Sequence, residues 1–575
     1  MDNQENMSQL SVVDFFCGAG GFSEGFKQMG FNILYGYDHW KPAVETFNHN
    51  FDLDCKVKNI LDFKDSIDEI NEIPDTDIIL GSPPCVSFSS SNKSGKADKS
   101  LGVDLTETFL RIVAIKKHQP NSKLKAWFME NVTNSKRYLQ PSYTFKDLGL
   151  SEWAASHRIS PHKIALELLE NTTSINSAEY GAIQSRIRLI AGEVIKKKKL
   201  IIPPPTYRSQ KAKSNLLLYK SVKLLRENFP SPFSKEGNDI ISDLQYDINI
   251  KQNEITDHFY DTGVYEVEWK FSRYWKINHP YMGKMSFPEN ENNPSRTITA
   301  TKISHSRESI IYKSEIKRSG NGEYRLPTVR EAAIIMGFPI TYQFLGSEGT
   351  KWRLVGNAVC CCVSRALAKV VIQELKIESN SPLNVRLIPK LENVPNLNTY
   401  NTKTFDNPPI KNKGARFRRH PFKVGNMTVT LSNYDIDSNS KTKDNWFTSI
   451  QYGTGKGFPI QMVDDGYYLK LEPIIKRFDE GKKFIEIINN GFSEKIGNKL
   501  QLQEMYEKQV CIDNLLEPTI LIDKIPEIIE SVGCPNELFE QDEIVIFENK
   551  EKVPISQLFA LYAVNRIASK VNQKQ

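Results

Sequence analysis

At 575 residues the chain is too long for one hydrophobic core, and roughly two to four domains are expected. Its 39% hydrophobic and 25% charged residues are ordinary for a soluble globular protein, and nothing approaches an unbroken apolar run of about eighteen residues, so no membrane span is expected. A formal charge of +6 permits a polyanion partner without requiring one, while the eight cysteines have neither metal-ligand spacing nor the density of a disulfide framework.

The N-terminus, MDNQENMSQL, has no basic-then-apolar signal segment, so the cytoplasm is the expected compartment. An apolar run, Val12 to Phe16, passes through Cys17-Gly18-Ala19-Gly20-Gly21 into a helical segment, Phe22 to Met29. This is the strand, tight turn and helix of a nucleotide-binding α/β domain. A second strand, Asn32 to Tyr37, ends at Asp38, about twenty residues on, where a carboxylate can accept from ribose hydroxyls. A Gly-rich turn that binds nothing has the same local look. Further strands are expected at Thr76 to Leu80 and Lys125 to Met129, with helices near Lys41 to His49, Ser66 to Ile70 and Leu105 to Lys117. Such alternation predicts a parallel sheet covered by helices, with ligands at the carboxyl ends of its strands.

Residues 134 to 170 read as peripheral helix and loop, and Arg186 to Ala191 as another strand. From the lysines at 196 to 199 and prolines at 203 to 205 until about residue 324, periodicity weakens, as in a loop-rich second domain. Its aromatic and basic passage, Trp269 to Lys276, suits nucleic acid, and equally a solvated face over a small aromatic core. Thr328 to Met336 is a helix opened by a Thr328/Glu331 capping box, and Val359 to Leu375 a further helix after Gly356-Asn357. A linker rich in Asn, Pro and Lys follows. The final block holds a basic patch at Arg416 to His420, strands at Thr428 to Leu431 and Trp446 to Gln451, and a helical tail at Ile555 to Ser569. Arg416, Arg418 and Arg419 suit a polyanion partner, the alternative being a block that only stabilises the fold.

Three segments carry candidate chemistry. In Ser82-Pro83-Pro84-Cys85, two prolines restrict the loop just past a strand end, which presents Cys85 as a nucleophile at small ordering cost. Most lone cysteines are instead buried and inert. Glu130 ends the strand Trp127 to Met129 and is either solvated or, if buried, a proton donor. In Gln184-Ser185-Arg186-Ile187-Arg188, period two sends both arginines to one side, toward an anionic or carbonyl oxygen, or into sheet-edge salt bridges.

In order and wording these segments resemble the DNA (cytosine-5)-methyltransferases, whose hallmarks are a DxFxGxGG turn, a PC dipeptide, an ENV tripeptide, a QxRxR strand and a late GN dipeptide. The chain has Asp14 to Gly21, Pro84-Cys85, Glu130-Asn131-Val132, Gln184 to Arg188 and Gly356-Asn357, with Arg325 to Tyr342 similar to the block before the last. The resemblance spans roughly residues 11 to 374. It implies an α/β, Rossmann-like methyltransferase domain (11–191, resumed at 306–374), a smaller irregular target-recognition domain (192–305), a linker (375–412) and an α+β C-terminal region (413–575).

By resemblance, Cys85 adds to C6 of a flipped cytosine, Glu130 contacts N3 and the exocyclic amine, and Arg188, with Arg186, holds the base O2 or the catalytic loop. Phe16, Gly18, Gly20, Gly21, Asp38, His39, Asn59, Ile60, Pro84 and Asn357 line a site for S-adenosyl-L-methionine, and no metal is implied. Many members have Asp where this chain has Asn59, whose carbonyl can accept the same hydrogen bond. Pro83 and Val86 also depart from the usual wording without removing a reacting group. The implied partners are double-stranded DNA and, genetically, a cognate restriction endonuclease, with the protein a monomer that meets no membrane. A tRNA methyltransferase of the same family and a catalytically silent DNA-binding protein are the alternatives. A nicotinamide dehydrogenase leaves the Pro-Cys loop and paired arginines without a role.

Overall fold

The computed structural model describes residues 10–84, 99–278, 283–377, 382–399, 405, 418–435, 440–441, 445–452, 460–508, 512–540 and 552–574. The chain divides into two compact units, Met1–Pro408 and Pro409–Gln575.

The first unit is built on six strands: β1 (Ser11–Phe15), β2 (Asn32–Tyr37), β3 (Ile78–Gly81), β4 (Ala126–Asn131), β5 (Thr172–Asn176) and β6 (Ile187–Val194). They form one sheet in the order β2-β1-β3-β4-β6-β5. Period two sorts the central side chains into two layers. Val12, Ile78, Leu80, Ala126 and Phe128 join one core, and Val13, Phe15, Ile79, Trp127 and Met129 the other. Burial on both faces is why these strands read as continuous apolar runs.

Helices α1 (Gly21–Gln28) and α7 (Cys361–Leu375) cover the first layer, and α3 (Lys99–His118) the second; α2 (Lys41–Phe51) follows β2. The expected Rossmann-like α/β arrangement is present. The sheet departs from it at one end, where β6 runs antiparallel to both β4 and β5. The short connection 177–186 is of a length that returns the chain antiparallel, because a parallel crossover takes a dozen or more residues.

After β6 the chain forms small two-stranded sheets and the helix α4 (Glu266–Asn278). The aromatic and basic passage expected in loop-rich surroundings is therefore helical, with Trp269, Ser272 and Lys276 on the buried side and Lys270, Arg273 and Tyr274 exposed. Lys276 meets Glu289 at 2.6 Å and the Ser309 carbonyl at 2.6 Å, and Glu289 also pairs with Arg296 at 2.6 Å. Burial pushes the Lys276 ammonium down to about 8.

The helix α5 (Val329–Ile335) carries the expected capping box: Thr328 Oγ1 accepts from the Glu331 amide, and Glu331 accepts from the Thr328 amide at 2.8 Å. Helix α6 (Glu348–Asn357) precedes α7. The most apolar 18-residue window of Glu348–Leu375 has a mean hydropathy of 1.6, enough by composition to cross a membrane, yet 78% of it is buried as core.

The second unit has a four-stranded antiparallel sheet, β7 (Arg419–Val424), β8 (Met427–Ser432), β9 (Phe447–Tyr452) and β10 (Ile460–Val463). Its helix α8 (Ile555–Gln573) is wholly buried from Leu558 to Val564 and shares a core with Met427, Val429, Leu431 and Ile450. Arg416 lies outside the described residues; Arg418 is half-buried and Arg419 exposed.

Packing of α1 on α7 depends on Gly25, where an added Cβ would meet the Arg365 amide nitrogen at 2.4 Å and Ser364 Cβ at 2.5 Å. Gly25→Ala gains about 1 kcal/mol of helix propensity. The overpacking costs about 1–3 kcal/mol and wins, because the obstacle includes backbone. Denaturant unfolding is expected to show a lower midpoint for Gly25→Ala; a raised midpoint would contradict this packing.

Candidate active site

The turn after β1 is left-handed at Phe16 (φ 56°), Gly18 (φ 54°) and Gly20 (φ 84°). The two glycines serve different ends. A Cβ on Gly20 would strike the Phe51 ring at 2.5 Å and Tyr342 Oη at 2.7 Å, whereas one on Gly18 would find nothing nearer than the Phe16 carbonyl at 3.9 Å. Gly20 is required for packing, and Gly18 leaves an open rim. Gly21 is held by close approach, since its Cβ would meet the Val359 carbonyl at 2.2 Å.

Across this rim, Asp38 accepts from the Gly18 amide at 3.0 Å and the Trp40 amide at 2.8 Å. Burial raises its carboxyl above the ordinary range. His39 is exposed, its Nδ1 3.5 Å from Asp38. The Lys58 amide donates to the Asp38 carbonyl at 2.9 Å, which brings Asn59 and Ile60 alongside. Ile60 packs in the same core as Phe16; Asn59 is exposed, its Oδ1 accepting from the Leu61 amide at 3.1 Å. Beneath the turn, Asp14 is fully buried and accepts from Ser23 Oγ at 2.7 Å, while its Oδ1 has no hydrogen-bond partner.

The second group sits at the ends of β3 and β4. The Ser82 amide donates to the Phe15 carbonyl at 3.1 Å, Ser82 Oγ to the Phe16 carbonyl at 3.1 Å, and Asn131 Nδ2 to the Pro83 carbonyl at 3.3 Å. The Pro83-Pro84 segment is thus tied to strands on both sides. Cys85 and Val86, which follow it, lie outside the described residues.

Glu130 is 7% exposed, with its Oε1 3.1 Å from Arg188 Nε. The distance is that of an ion pair, but the alignment is not that of a hydrogen bond, so Oε1 has no hydrogen-bond partner. Burial raises the Glu130 carboxyl above its ordinary value, against the opposing pull of Arg188 and Arg186.

The two arginines have different surroundings. Arg188 faces Glu130 and donates to the Ile187 carbonyl at 2.8 Å. Arg186 is buried and donates to the backbone carbonyls of Ile298 (3.0 Å), Gly356 (3.3 Å) and Ala358 (3.3 Å). Gly356 is packed so closely that a Cβ would meet the Thr299 carbonyl at 2.4 Å. Asn357, the last residue of α6, is exposed.

Residues 10–373 match the family described as the C-5 cytosine-specific DNA methylases. The chain belongs to that family. Membership makes it a methyltransferase, and methyltransferases of this kind use S-adenosylmethionine. Among similar proteins, the Type II methyltransferase M.HindV of Haemophilus influenzae is 36% identical over 129 residues, 22% of this chain and 39% of that protein. M.AplI of Arthrospira platensis is 26% identical over 66% of this chain and 90% of its own length. M.MthTI of Methanothermobacter thermautotrophicus is 26% identical over 64% of this chain and 98% of its own length. The family match ends before residue 376 and leaves the second unit unassigned.

Some supporting residues carried no local signal. Tyr342 donates its hydroxyl to the Ala19 carbonyl and closes the turn from below, and Arg353 stacks on Trp40, 4.5 Å from its ring centre. Both contacts join positions some 300 residues apart, beyond the reach of any periodicity.

Asp14 yields a pH prediction. Burial pushes its carboxyl up to about 7, against an unfolded value of 3.8. Across that window the folded chain keeps a proton that the unfolded chain has released, so this contribution to stability is present at low pH and falls as pH rises toward 7. Asp14→Asn lacks that component, so the difference in unfolding free energy between variant and parent is expected to shift in the variant's favour as pH rises from 5 to 8. A flat difference would contradict it.

Proposed function

We propose that the protein transfers a methyl group to C5 of a cytosine flipped out of duplex DNA, as the modification partner of a restriction endonuclease. The observation that carries the reading is Glu130, buried at ion-pair distance from Arg188. It sits beside the strand-tethered Pro83-Pro84 segment that leads to Cys85. A structural carboxylate would be hydrogen-bonded or solvated, whereas one whose hold on a proton is strengthened by burial is suited to share it with a base nitrogen.

The residues at the glycine turn fit S-adenosylmethionine: Gly18 leaves room where a side chain would stand, and Asp38 and Asn59 offer acceptors at the same rim. When bound, that molecule supplies an electrophilic methyl group. Phe16, Gly18, Gly20, Gly21, Asp38, His39, Asn59, Ile60, Pro84 and Asn357 would surround it.

Cytosine must leave the stack to be reached, at a cost of a few kcal/mol. The Cys85 thiolate then adds to C6, and the bonding electrons pass toward C5 and N3. Glu130 donates its proton at N3 and accepts from the exocyclic amine, which relieves the charge that develops, and Arg188 holds Glu130 and the base O2. C5, now nucleophilic, takes the methyl group; its proton then passes to solvent, the thiolate leaves C6 and N3 returns its proton to Glu130, which restores the aromatic ring and the free cysteine. Arg186, whose contacts are with backbone carbonyls, supports this edge from behind. Residues 192–305 would form the target-recognition domain, and 306–374 the return to the catalytic domain.

Purified protein is expected to methylate duplex DNA in a sequence-specific manner and to leave tRNA unmodified; the reverse outcome favours the tRNA branch. Cys85→Ala should abolish transfer and retain cofactor binding, which separates this enzyme from a silent DNA-binding protein. Glu130→Gln should lower kcat by a factor on the order of 10² to 10⁴, the usual range for a lost general acid. An unchanged kcat would remove Glu130 from the mechanism.

A further inference from the structure

Helix α6 has one committed side and one open side. Lys351 pairs with buried Asp257 at 2.7 Å, and Trp352 Nε1 donates to the Thr299 carbonyl at 2.9 Å, so these two residues serve the packing of the helix. Ser347 caps the helix, its Oγ accepting from the Thr350 amide at 3.4 Å. From there Gly349, Arg353 and Asn357 recur every four residues and are all exposed, which puts them on one outward face.

Two contacts fix that face at the rim of the glycine turn. A Cβ on Gly21 would meet Ala358 Cβ at 3.1 Å and the Val359 carbonyl at 2.2 Å, so the residues just after Asn357 press on the end of the turn. One helical turn earlier, the Arg353 guanidinium lies 4.5 Å from the centre of the Trp40 ring. Trp40 is itself tied to the rim: its amide donates to Asp38 Oδ1 at 2.8 Å, while Asp38 Oδ2 accepts from the Gly18 amide at 3.0 Å. Four residues of helix rise about 6 Å. Arg353 therefore stands at the rim, over Trp40 and one turn from Asn357.

The stack occupies only the face of the guanidinium. Its five N–H donors lie in the plane of the group and point outward from its edge, and no hydrogen bond or ion pair of Arg353 occurs among the described residues. Other cations beside the rim are already paired: Lys41 meets Glu45 at 3.6 Å and Lys58 meets Glu69 at 2.7 Å. An exposed arginine needs only water. One whose plane is fixed by an aromatic ring beside a ligand site is oriented before binding, so little ordering is left for the bound state to impose.

We propose that Arg353 is a cofactor-binding residue whose guanidinium takes the α-carboxylate of S-adenosylmethionine, with Trp40 as the plate that orients it. The inference rests on the reading of the glycine turn as the site for that molecule. The carboxylate is the single anionic group of the ligand: adenine and ribose are neutral, and the sulfonium and ammonium are repelled by a guanidinium. A planar fork of donors matches a carboxylate with two hydrogen bonds. Arg353 thus selects for the intact amino-acid arm and takes no part in methyl transfer.

The test is calorimetry on the full chain without DNA, with two ligands that differ only in the carboxylate: S-adenosylmethionine and its decarboxylated form. The parent should bind the first at least about tenfold more tightly, equivalent to about 1.4 kcal/mol. Arg353→Gln should raise the Kd of S-adenosylmethionine about tenfold and leave that of the decarboxylated form within about twofold. A parent that does not distinguish the two ligands overturns the inference without any variant. So does an equal loss for both, which marks a packing role for Arg353. DNA phosphates offer the same anionic oxygens, so the Kd of a duplex is measured on both proteins and should be unchanged; a loss there with S-adenosylmethionine unaffected overturns the assignment. A parent that binds neither ligand defeats the cofactor reading and this inference with it. A parent that prefers S-adenosylmethionine but is matched by Arg353→Gln defeats only this inference.

Discussion

Arg186 commits its guanidinium to the carbonyls of Ile298, Gly356 and Ala358, and through them one buried charge joins the entry to β6, the segment that closes residues 192–305, and the junction of α6 with α7. A buried cation must be compensated or it unfolds its surroundings. Neighbouring bonds follow the same line: Gln184 accepts from the Ile298 amide at 2.7 Å, and the Ser185 amide donates to the Ser295 carbonyl at 2.9 Å. The α6–α7 junction also presses on Gly21, the first residue of α1. The glycine turn and the Glu130–Arg188 edge therefore share one support, and neither can shift independently of the other.

This arrangement explains which parts were readable from the chain alone. Strands β1, β3 and β4 were legible because, buried on both faces, they are apolar for most of their length, whereas the polar, half-exposed β5 gave no such signal; the start of α5 was legible because its capping box is a local pattern completed within four residues. The helix α4 was not. Its Lys276 is buried only because Glu289 and the Ser309 carbonyl, from later segments, accept its charge. Period two puts Arg186 and Arg188 on one side, yet nothing local tells that one meets backbone carbonyls and the other a carboxylate. The anchoring of Asn396 and Asn398 on residues 257 to 259 was hidden for the same reason. Asparagine and proline mark a linker by composition, and only the distant amides of 257 to 259 turn those asparagines into anchors.

Charge separates the two units further. Residues 409–575 contain 23 Lys and Arg against 23 Asp and Glu, which leaves the whole +6 in residues 1–408. The non-specific attraction of a protein for a polyanion comes from its excess cations. Unit 2 has none to spare beyond the local cluster around Arg418 and Arg419. The fully buried stretch Leu558 to Val564 of α8 gives it a core of its own.

The central claim is that a cysteine presented by the Pro83-Pro84 segment attacks a cytosine held by Glu130. Duplex DNA carrying 5-fluorocytosine in the methylated site tests it most directly, because fluorine at C5 cannot leave as a proton does and the enzyme remains attached. Digestion and mass spectrometry should find one DNA adduct, on the peptide containing Cys85, formed only in the presence of S-adenosylmethionine. No adduct from a preparation that methylates the unsubstituted duplex, or an adduct on another residue, would contradict the account.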